Sequence, residues 1–259
     1  MVFRRIVISA LLVGALSGFL LTAVQSWQVV PIIMSAEVFE GGPEPAAQPA
    51  TAHTHAGQPA AAHDHGTGDA WAPEDGFERT AYTLLANVLT AFGLALVLLT
   101  AMVTALRANA ATKLDWRHGL LWGGAGYAVF FLAPSLGMPP EIPGAAAAPL
   151  EGRQLWWLFA VASTAAGLAG AAFGKAPWRW AALALLVIPH VVGAPHPPTA
   201  MFADQPSEAA AELTRLAQQF IGASALANGT LWLALGLSSI WAMRRFVMPS
   251  LQPVGNEEK

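Results

Sequence analysis

The sequence of 259 residues contains no cysteine, which excludes disulfides, zinc–thiolate centres, iron–sulfur clusters and cysteine nucleophiles. Charged residues are scarce as well, at 11% of the chain, whereas soluble domains contain roughly 25%. The formal net charge is -3, which argues against a nucleic-acid partner. The shortage of charge indicates a chain whose main partner is the lipid bilayer.

Signatures of catalysis are also missing. The sequence contains no H-E-x-x-H and no G-x-S-x-G motif, and no pair of acids falls within one apolar span. It contains no P-loop either, so the chain itself is not expected to hydrolyse ATP. We therefore predict that the protein is not an enzyme.

Hydrophobic residues make up 55% of the chain and form long runs. We predict an all-α, polytopic membrane bundle of about six transmembrane helices, one integral membrane domain over residues 1–259. The predicted spans are residues 6–31, 82–106, 118–136, 155–173, 178–194 and 220–243, with an amphipathic approach helix over residues 206–219. The first span could instead be a signal peptide, but its apolar run continues to Met34 without a clear A-x-A site, so we favour a retained helix.

Small and polar residues within the spans predict how the helices pack. Ala10, Gly14 and Gly18 recur every four residues and predict a close helix contact. Asn87 is the lone amide side chain of the second span, and we interpret it as an interhelical hydrogen-bonding amide. The adjacent residues Trp156 and Trp157 are typical of an interfacial belt.

The distribution of basic residues predicts the orientation of the bundle. With both termini in the cytoplasm, ten of the 13 Lys and Arg residues fall in inner segments. Only Arg79, Arg153 and Arg215 fall in outer segments. This asymmetry follows the positive-inside rule and predicts a multi-pass protein of the bacterial inner membrane.

Two polar segments flank the apolar spans. Residues 41–76 are rich in Pro, Ala and Gly and are predicted to form a disordered outer loop. This loop contains two H-x-H pairs, His53 with His55 and His63 with His65, which suggest loose capture of a metal ion. An accident of composition would give the same pattern. Residues 246–259 are predicted to be a frayed cytoplasmic tail.

A proline and a histidine lie inside the fifth apolar span, at Pro189 and His190, and Pro195 and His196 follow. Proline removes a backbone donor, so the helix should kink or break there. A histidine in a membrane-length apolar run usually marks a site or a pathway. The alternative is that Pro189 is only a packing kink and that His190 bonds a neighbouring helix.

Potential metal ligands collect at the predicted outer face. Glu37 and Glu40 follow the first span, Glu141 follows the third, and His190 and His196 lie in and after the fifth. Imidazole and carboxylate together suit divalent transition metals. The sequence thus predicts a metal site built from these residues, although each acid taken alone could be a solvated loop residue.

Four short segments resemble the CbtA-type family of predicted cobalt transporter subunits. They are AEVFE at residues 36–40, GMPPEIPG at 137–144, RQLWW at 153–157 and PHVVGAP at 189–195. The resemblance implies an inner-membrane protein that acts in cobalt uptake. Nickel or another divalent cation is the alternative for the transported ion. The resemblance also implies a small single-span partner with a His-rich end. A homo-oligomer is compatible with the sequence, as is an accessory protein that binds metal without transporting it.

Overall fold

The computed structural model describes residues 2–39, 73–108 and 114–250. Helices dominate this part of the chain, and it contains no β-strand. Five continuous helices are long and apolar enough to cross a membrane: α1 (Val2–Glu37), α2 (Phe77–Ala108), α3 (Trp116–Gly137), α4 (Leu150–Phe173) and α5 (Ser207–Val247). The all-α membrane bundle predicted from the sequence is confirmed.

The predicted fifth span has a different form from the other five. Residues 178–192, here called the broken segment, consist of a helical turn at Trp178–Ala181, a 3-10 helix at Ala182–Leu186 and a short α-helix at Ile188–Val192. These 15 residues rise about 25 Å, because a 3-10 helix rises about 2.0 Å per residue against about 1.5 Å in an α-helix.

The broken segment runs antiparallel to α4 along its whole length. Near its start, a Cβ added at Gly170 would lie 2.5 Å from the Cβ of Ala182. Near its end, the indole Nε1 of Trp156 donates to the carbonyl oxygen of Pro189 at 3.3 Å. The broken segment therefore covers at least the depth of the bundle between Trp156 and Gly170 of α4.

Glycines set two close helix crossings. A Cβ at Gly14 of α1 would lie 2.6 Å from the Cα of Phe92 in α2, and one at Gly18 would lie 2.6 Å from the Cα of Val88. On the other side of the bundle, a Cβ at Gly236 of α5 would lie 2.2 Å from the carbonyl oxygen of Gly119 in α3. The close contact predicted from the small residues of α1 is confirmed, since any larger side chain would force these backbones apart.

Each proline within a helix comes just after a turn that is not α-helical. A π-helix at Gln25–Val29 precedes Pro31, and another at Ala128–Leu132 precedes Pro134. The 3-10 helix at Ala182–Leu186 precedes Pro189. Local π or 3-10 turns take up the missing N–H and the bulk of the proline ring. The prediction that the first span ends at Pro31 is therefore wrong: α1 continues to Glu37.

The last span also differs from its prediction. The approach helix and the span form one continuous α-helix, Ser207–Ala242, followed by a π-helix at Met243–Val247. No proline or glycine that would end the helix separates the two parts, so the helix that begins at the loop continues to the far end. The prediction for Asn87 is confirmed: its amide donates to Thr22 Oγ1 at 2.9 Å and to Gln25 Oε1 at 2.6 Å.

The antiparallel packing gives the bundle two chemically different ends. One end, here called the basic end, holds the start of α1, where Arg5 Nη1 donates to the carbonyl oxygen of Phe246 at 2.9 Å. The described basic residues there are Arg4, Arg5, Arg107, Arg117, Lys175, Arg179, Arg244 and Arg245. The other end, here called the acidic end, holds Glu37, Glu74, Asp75, Glu78, Glu141, Glu151, Asp204, Glu208 and Glu212.

Candidate functional site

The four sequence segments that carry the family resemblance meet at the acidic end, and three of them contain predicted ligands. Ala36 and Ile142 belong to one buried apolar cluster, together with Phe202 and Leu213. A Cβ at Gly137 would lie 2.3 Å from Cη2 of Trp156 and 3.1 Å from the Cβ of Ala194. The end of α1, the loop after α3, the start of α4 and the end of the broken segment are therefore in direct contact.

Glu37 is held at the last turn of α1 by an arginine of α2. Arg79 Nη2 donates to Glu37 Oε1 at 2.6 Å, and Nη1 donates to Oε2 at 3.3 Å. Arg79 Nη1 also donates to Asp75 Oδ1 at 2.9 Å. Both Arg79 and Glu37 are half-buried. A guanidinium thus occupies the side of the Glu37 carboxylate where a cation would bind.

Glu141 is also paired with an arginine, Arg153 of α4. Arg153 Nη2 of α4 lies 2.9 Å from Glu141 Oε2, and the two side chains are 36% and 26% exposed. Since water screens the pair only in part, their attraction is stronger than that of an ion pair on an open surface. The loop after α3 is fixed to α4 by this contact.

His190, in the broken segment, contacts the same face of α4 one turn after Arg153. The rings of Trp156 and His190 meet edge to face with centroids 6.1 Å apart, and Trp156 also donates to the Pro189 carbonyl. Arg153 and Trp156 are three residues apart, so they share a helix face and are separated by about 4.5 Å along the axis. Adjacent positions of α4 therefore hold the Glu141 carboxylate and the His190 imidazole.

Trp156 is not the interfacial residue that the sequence suggested. Its side chain is 6% exposed and lies among Gly137, Pro189 and His190. The glycine at 137 leaves room for the indole, since a Cβ there would overlap the ring. Trp157, by contrast, remains exposed.

The described candidates do not form a preassembled metal site. Within residues 2–39, 73–108 and 114–250, no three His, Asp or Glu side chains lie close enough to hold a metal ion together. His196 is exposed on the loop that follows Gly193. Glu40, His53, His55, His63 and His65 lie outside the described residues. The single convergent cluster of His190, His196, Glu141 and Glu37 is not formed in this structure.

The two arginines were not recognised as functional residues from the sequence. The signal was present: Arg79, Arg153 and Arg215 are the exceptions to the charge asymmetry. In the structure each of the three pairs with a carboxylate of the acidic end, the third pair being Arg215 with Glu212. In this chain, each basic residue of the acidic end thus marks a carboxylate with which it forms an ion pair.

Comparison with known families gives one result that covers nearly the whole chain. The family model described as "Probable cobalt transporter subunit (CbtA)" matches residues 3–244. Neither curated proteins nor solved structures give a match to the chain. With its apolar helices, the chain is a multi-pass membrane protein, and the word subunit implies partner proteins in a transport complex. The chain belongs to the CbtA family of probable cobalt transporter subunits.

Proposed function

We propose that the protein is a subunit for the uptake of a divalent transition metal ion, with cobalt as the first candidate. It lies in the inner membrane with the basic end in the cytoplasm and the acidic end outside. The observation that supports this most is the convergence of the three ligand-bearing segments and the start of α4 on one end, where carboxylates outnumber basic residues. An excess of fixed negative charge attracts cations from solution.

We propose that Arg79 and Arg153 take the place of the ion while the site is empty. Each guanidinium cancels the charge of a half-buried carboxylate, Glu37 or Glu141. A divalent ion would displace these arginines, and the freed carboxylates would then coordinate it. The exchange avoids leaving a partly buried carboxylate without a counter-charge at any stage, which would be costly.

His190 is the proposed ligand on the inner side of the carboxylates. It stands just after the change from 3-10 to α-helix and next to the carbonyl of Pro189, which Trp156 holds. Broken helices commonly provide ion sites in transporters, because backbone carbonyls and side chains become available together. Imidazole and carboxylate are ligands that divalent transition metals accept in the absence of thiolate.

We propose that an ion meets the outer loop and a partner subunit before it reaches this site. His53, His55, His63 and His65 are proposed to capture the ion loosely and raise its local concentration. The partner implied by the family description is proposed to be a small single-span subunit with a His-rich end. It would deliver ions to the same end of the bundle.

Reconstitution tests this proposal against an accessory role. The purified full chain is placed in liposomes, and uptake of Co²⁺ is followed with a metal-sensitive dye inside. Uptake by this chain alone supports a permease subunit, and competition by Ni²⁺ or Zn²⁺ measures selectivity. Binding of Co²⁺ to the chain without uptake, even when the partner is added, would show an accessory protein instead.

A further inference from the structure

A cavity of about 430 Å³ lies at the basic end, away from the proposed metal site. Its lining comes from the start of α3 and the end of α5: Trp116, Leu237, Ile240, Trp241, Arg244 and Arg245. The two helices are pressed together at Gly119 and Gly236 and leave room beyond that crossing. The cavity thus has an apolar wall that continues into the bundle surface and a rim with two guanidinium groups.

The positive charge around this cavity is not neutralised by the described part of the protein. No salt bridge between described residues involves Arg117, Arg244 or Arg245. Two of these groups lie over aromatic rings instead: the Arg117 guanidinium is 5.6 Å from the centre of the Trp116 ring, and that of Arg245 is 5.8 Å from the Phe246 ring. A cation over a ring keeps its full charge, so an anion can still bind.

The apolar part of the cavity is left uncovered by the described part of the chain. Trp116 is 60% exposed and Trp241 is 55% exposed. Leu237, one turn before Trp241 on α5, is also exposed. Tryptophan beside an apolar surface is typical of the part of a membrane protein that lies at the depth of the lipid headgroups. The same cavity therefore presents a surface for acyl chains on one side and guanidinium donors for an oxyanion on the other.

We propose that this cavity binds an anionic phospholipid, with its phosphate between Arg244 and Arg245 and an acyl chain along Leu237 and Trp241. Guanidinium groups recognise phosphate through charge-assisted hydrogen bonds. Basic pockets between membrane helices bind anionic headgroups in this way. The lipid would join the start of α3 to the end of α5 and stabilise that crossing.

The test measures lipid binding by the purified full chain, independently of metal transport. Delipidated protein in detergent is titrated with dioleoyl phosphatidylglycerol or dioleoyl phosphatidylcholine, and bound lipid is counted by native mass spectrometry. We expect one phosphatidylglycerol to bind and phosphatidylcholine not to bind. The double variant Arg244→Gln/Arg245→Gln should bind phosphatidylglycerol about 30-fold more weakly, since each basic group near a membrane surface contributes a factor of about five.

Two further variants show whether the cavity itself is responsible. Arg4→Gln/Arg107→Gln removes two charges from the basic end outside the cavity and should leave binding unchanged. Leu237→Trp keeps both arginines but fills the cavity from an exposed position, and it should also lose phosphatidylglycerol. Equal binding of the two lipids, or full binding by the Arg244→Gln/Arg245→Gln or Leu237→Trp protein, overturns the proposal. Displacement of phosphatidylglycerol by equimolar inorganic phosphate would overturn it as well, since it would show a site for a soluble anion.

Discussion

Arginines at the two ends of the bundle are used in opposite ways. At the basic end, Arg117, Arg179 and Arg245 each lie over an aromatic ring, 5.2–5.8 Å from its centre. At the acidic end, Arg79, Arg153 and Arg215 each lie against a carboxylate. A ring leaves the positive charge available to a membrane or an anion, whereas a carboxylate cancels it.

The difference separates the positive charges that remain available from those that a carboxylate of the protein cancels. Among the described residues, the basic end has one acid, Asp115, which pairs with His118. The acidic end has nine carboxylates for its three arginines, so most of its negative charge remains for cations. One end is therefore suited to anionic headgroups and the other to metal ions, and each prediction below tests that contrast.

The largest predicted effect is the presence or absence of cysteine labelling, which reports which end of the bundle faces outward. Because the chain has no cysteine, single introduced cysteines report accessibility without background. We expect a membrane-impermeant maleimide to label cysteines placed at Gly57 and Pro198 in intact cells. A cysteine at Asn109 should be labelled only after lysis. Labelling at Asn109 in intact cells would place the basic end outside and refute the orientation.

The second prediction compares one histidine from each end. His190→Ala should abolish metal uptake while the protein still inserts and folds, because the proposed inner ligand is lost. His118→Ala, at the basic end, should keep uptake close to the wild-type rate. Uptake is measured in liposomes at equal protein content, with circular dichroism to check folding. Unchanged uptake by His190→Ala would remove His190 from the site.

The third prediction separates a carboxylate from the arginine that holds it. Glu141→Gln should weaken Co²⁺ binding by at least about tenfold, the lower end of the cost of losing even an outer-shell partner of a ligand, because the amide keeps the shape of the side chain but removes the charge that binds the ion. Arg153→Gln should instead strengthen Co²⁺ binding several-fold, since the ion no longer displaces a guanidinium from Glu141. Arg215→Gln is the matched control, because its partner Glu212 is not a proposed ligand. Titration calorimetry measures all three variants.

The opposite signs are what make this experiment decisive. A purely structural ion pair predicts that both Glu141→Gln and Arg153→Gln weaken binding by loosening the loop after α3. Weaker binding in Arg153→Gln would therefore contradict the exchange of arginine for metal, even if Glu141 remained a ligand.

The fourth prediction concerns the outer loop at the acidic end. Removal of residues 50–68 should reduce uptake at low metal concentration and leave the rate at saturating metal unchanged. The reason is that loosely bound ions raise the local concentration without forming part of the path. A complete loss of uptake at saturating metal would show that the histidines of this loop belong to the path itself.

Much of the fold could be predicted from residue type alone. Apolar length and the scarcity of charge predicted a helical membrane bundle, and Gly14 and Gly18 predicted one of its close helix crossings. The break near Pro189 followed from the missing backbone N–H. The continuation of α1 beyond Pro31 could not be predicted in this way, because a π-turn absorbs the proline without ending the helix.

The candidate site was less predictable than the fold. The sequence indicated that Glu37, Glu141 and His190 lie at one end, but not that arginines from α2 and α4 hold the two acids. Such partners depend on which turns of separate helices face each other, and no local pattern encodes that. The role of Trp156 was missed for the same reason, since a buried indole and an interfacial one look alike in sequence.

The smallest predicted effect concerns the one acid of the basic end among the described residues. Asp115 caps α3: its Oδ1 accepts the backbone N–H of His118 at 3.1 Å and lies 2.8 Å from His118 Nδ1. The side-chain hydrogen bond from His118, followed by the backbone one, holds the pKa of Asp115 below its ordinary value. A lowered pKa means that the folded state favours the carboxylate. The stabilisation is therefore complete above the ordinary pKa and is lost as the pH falls through the lowered one.

Asp115→Ala should lower the melting temperature in detergent at pH 7 by about 2–4 °C, a typical cost for a lost helix cap. Asp115→Asn should lower it less, because the amide oxygen still accepts the backbone bond. Equal losses in the two variants would show that the charge of Asp115, rather than its cap geometry, stabilises this end.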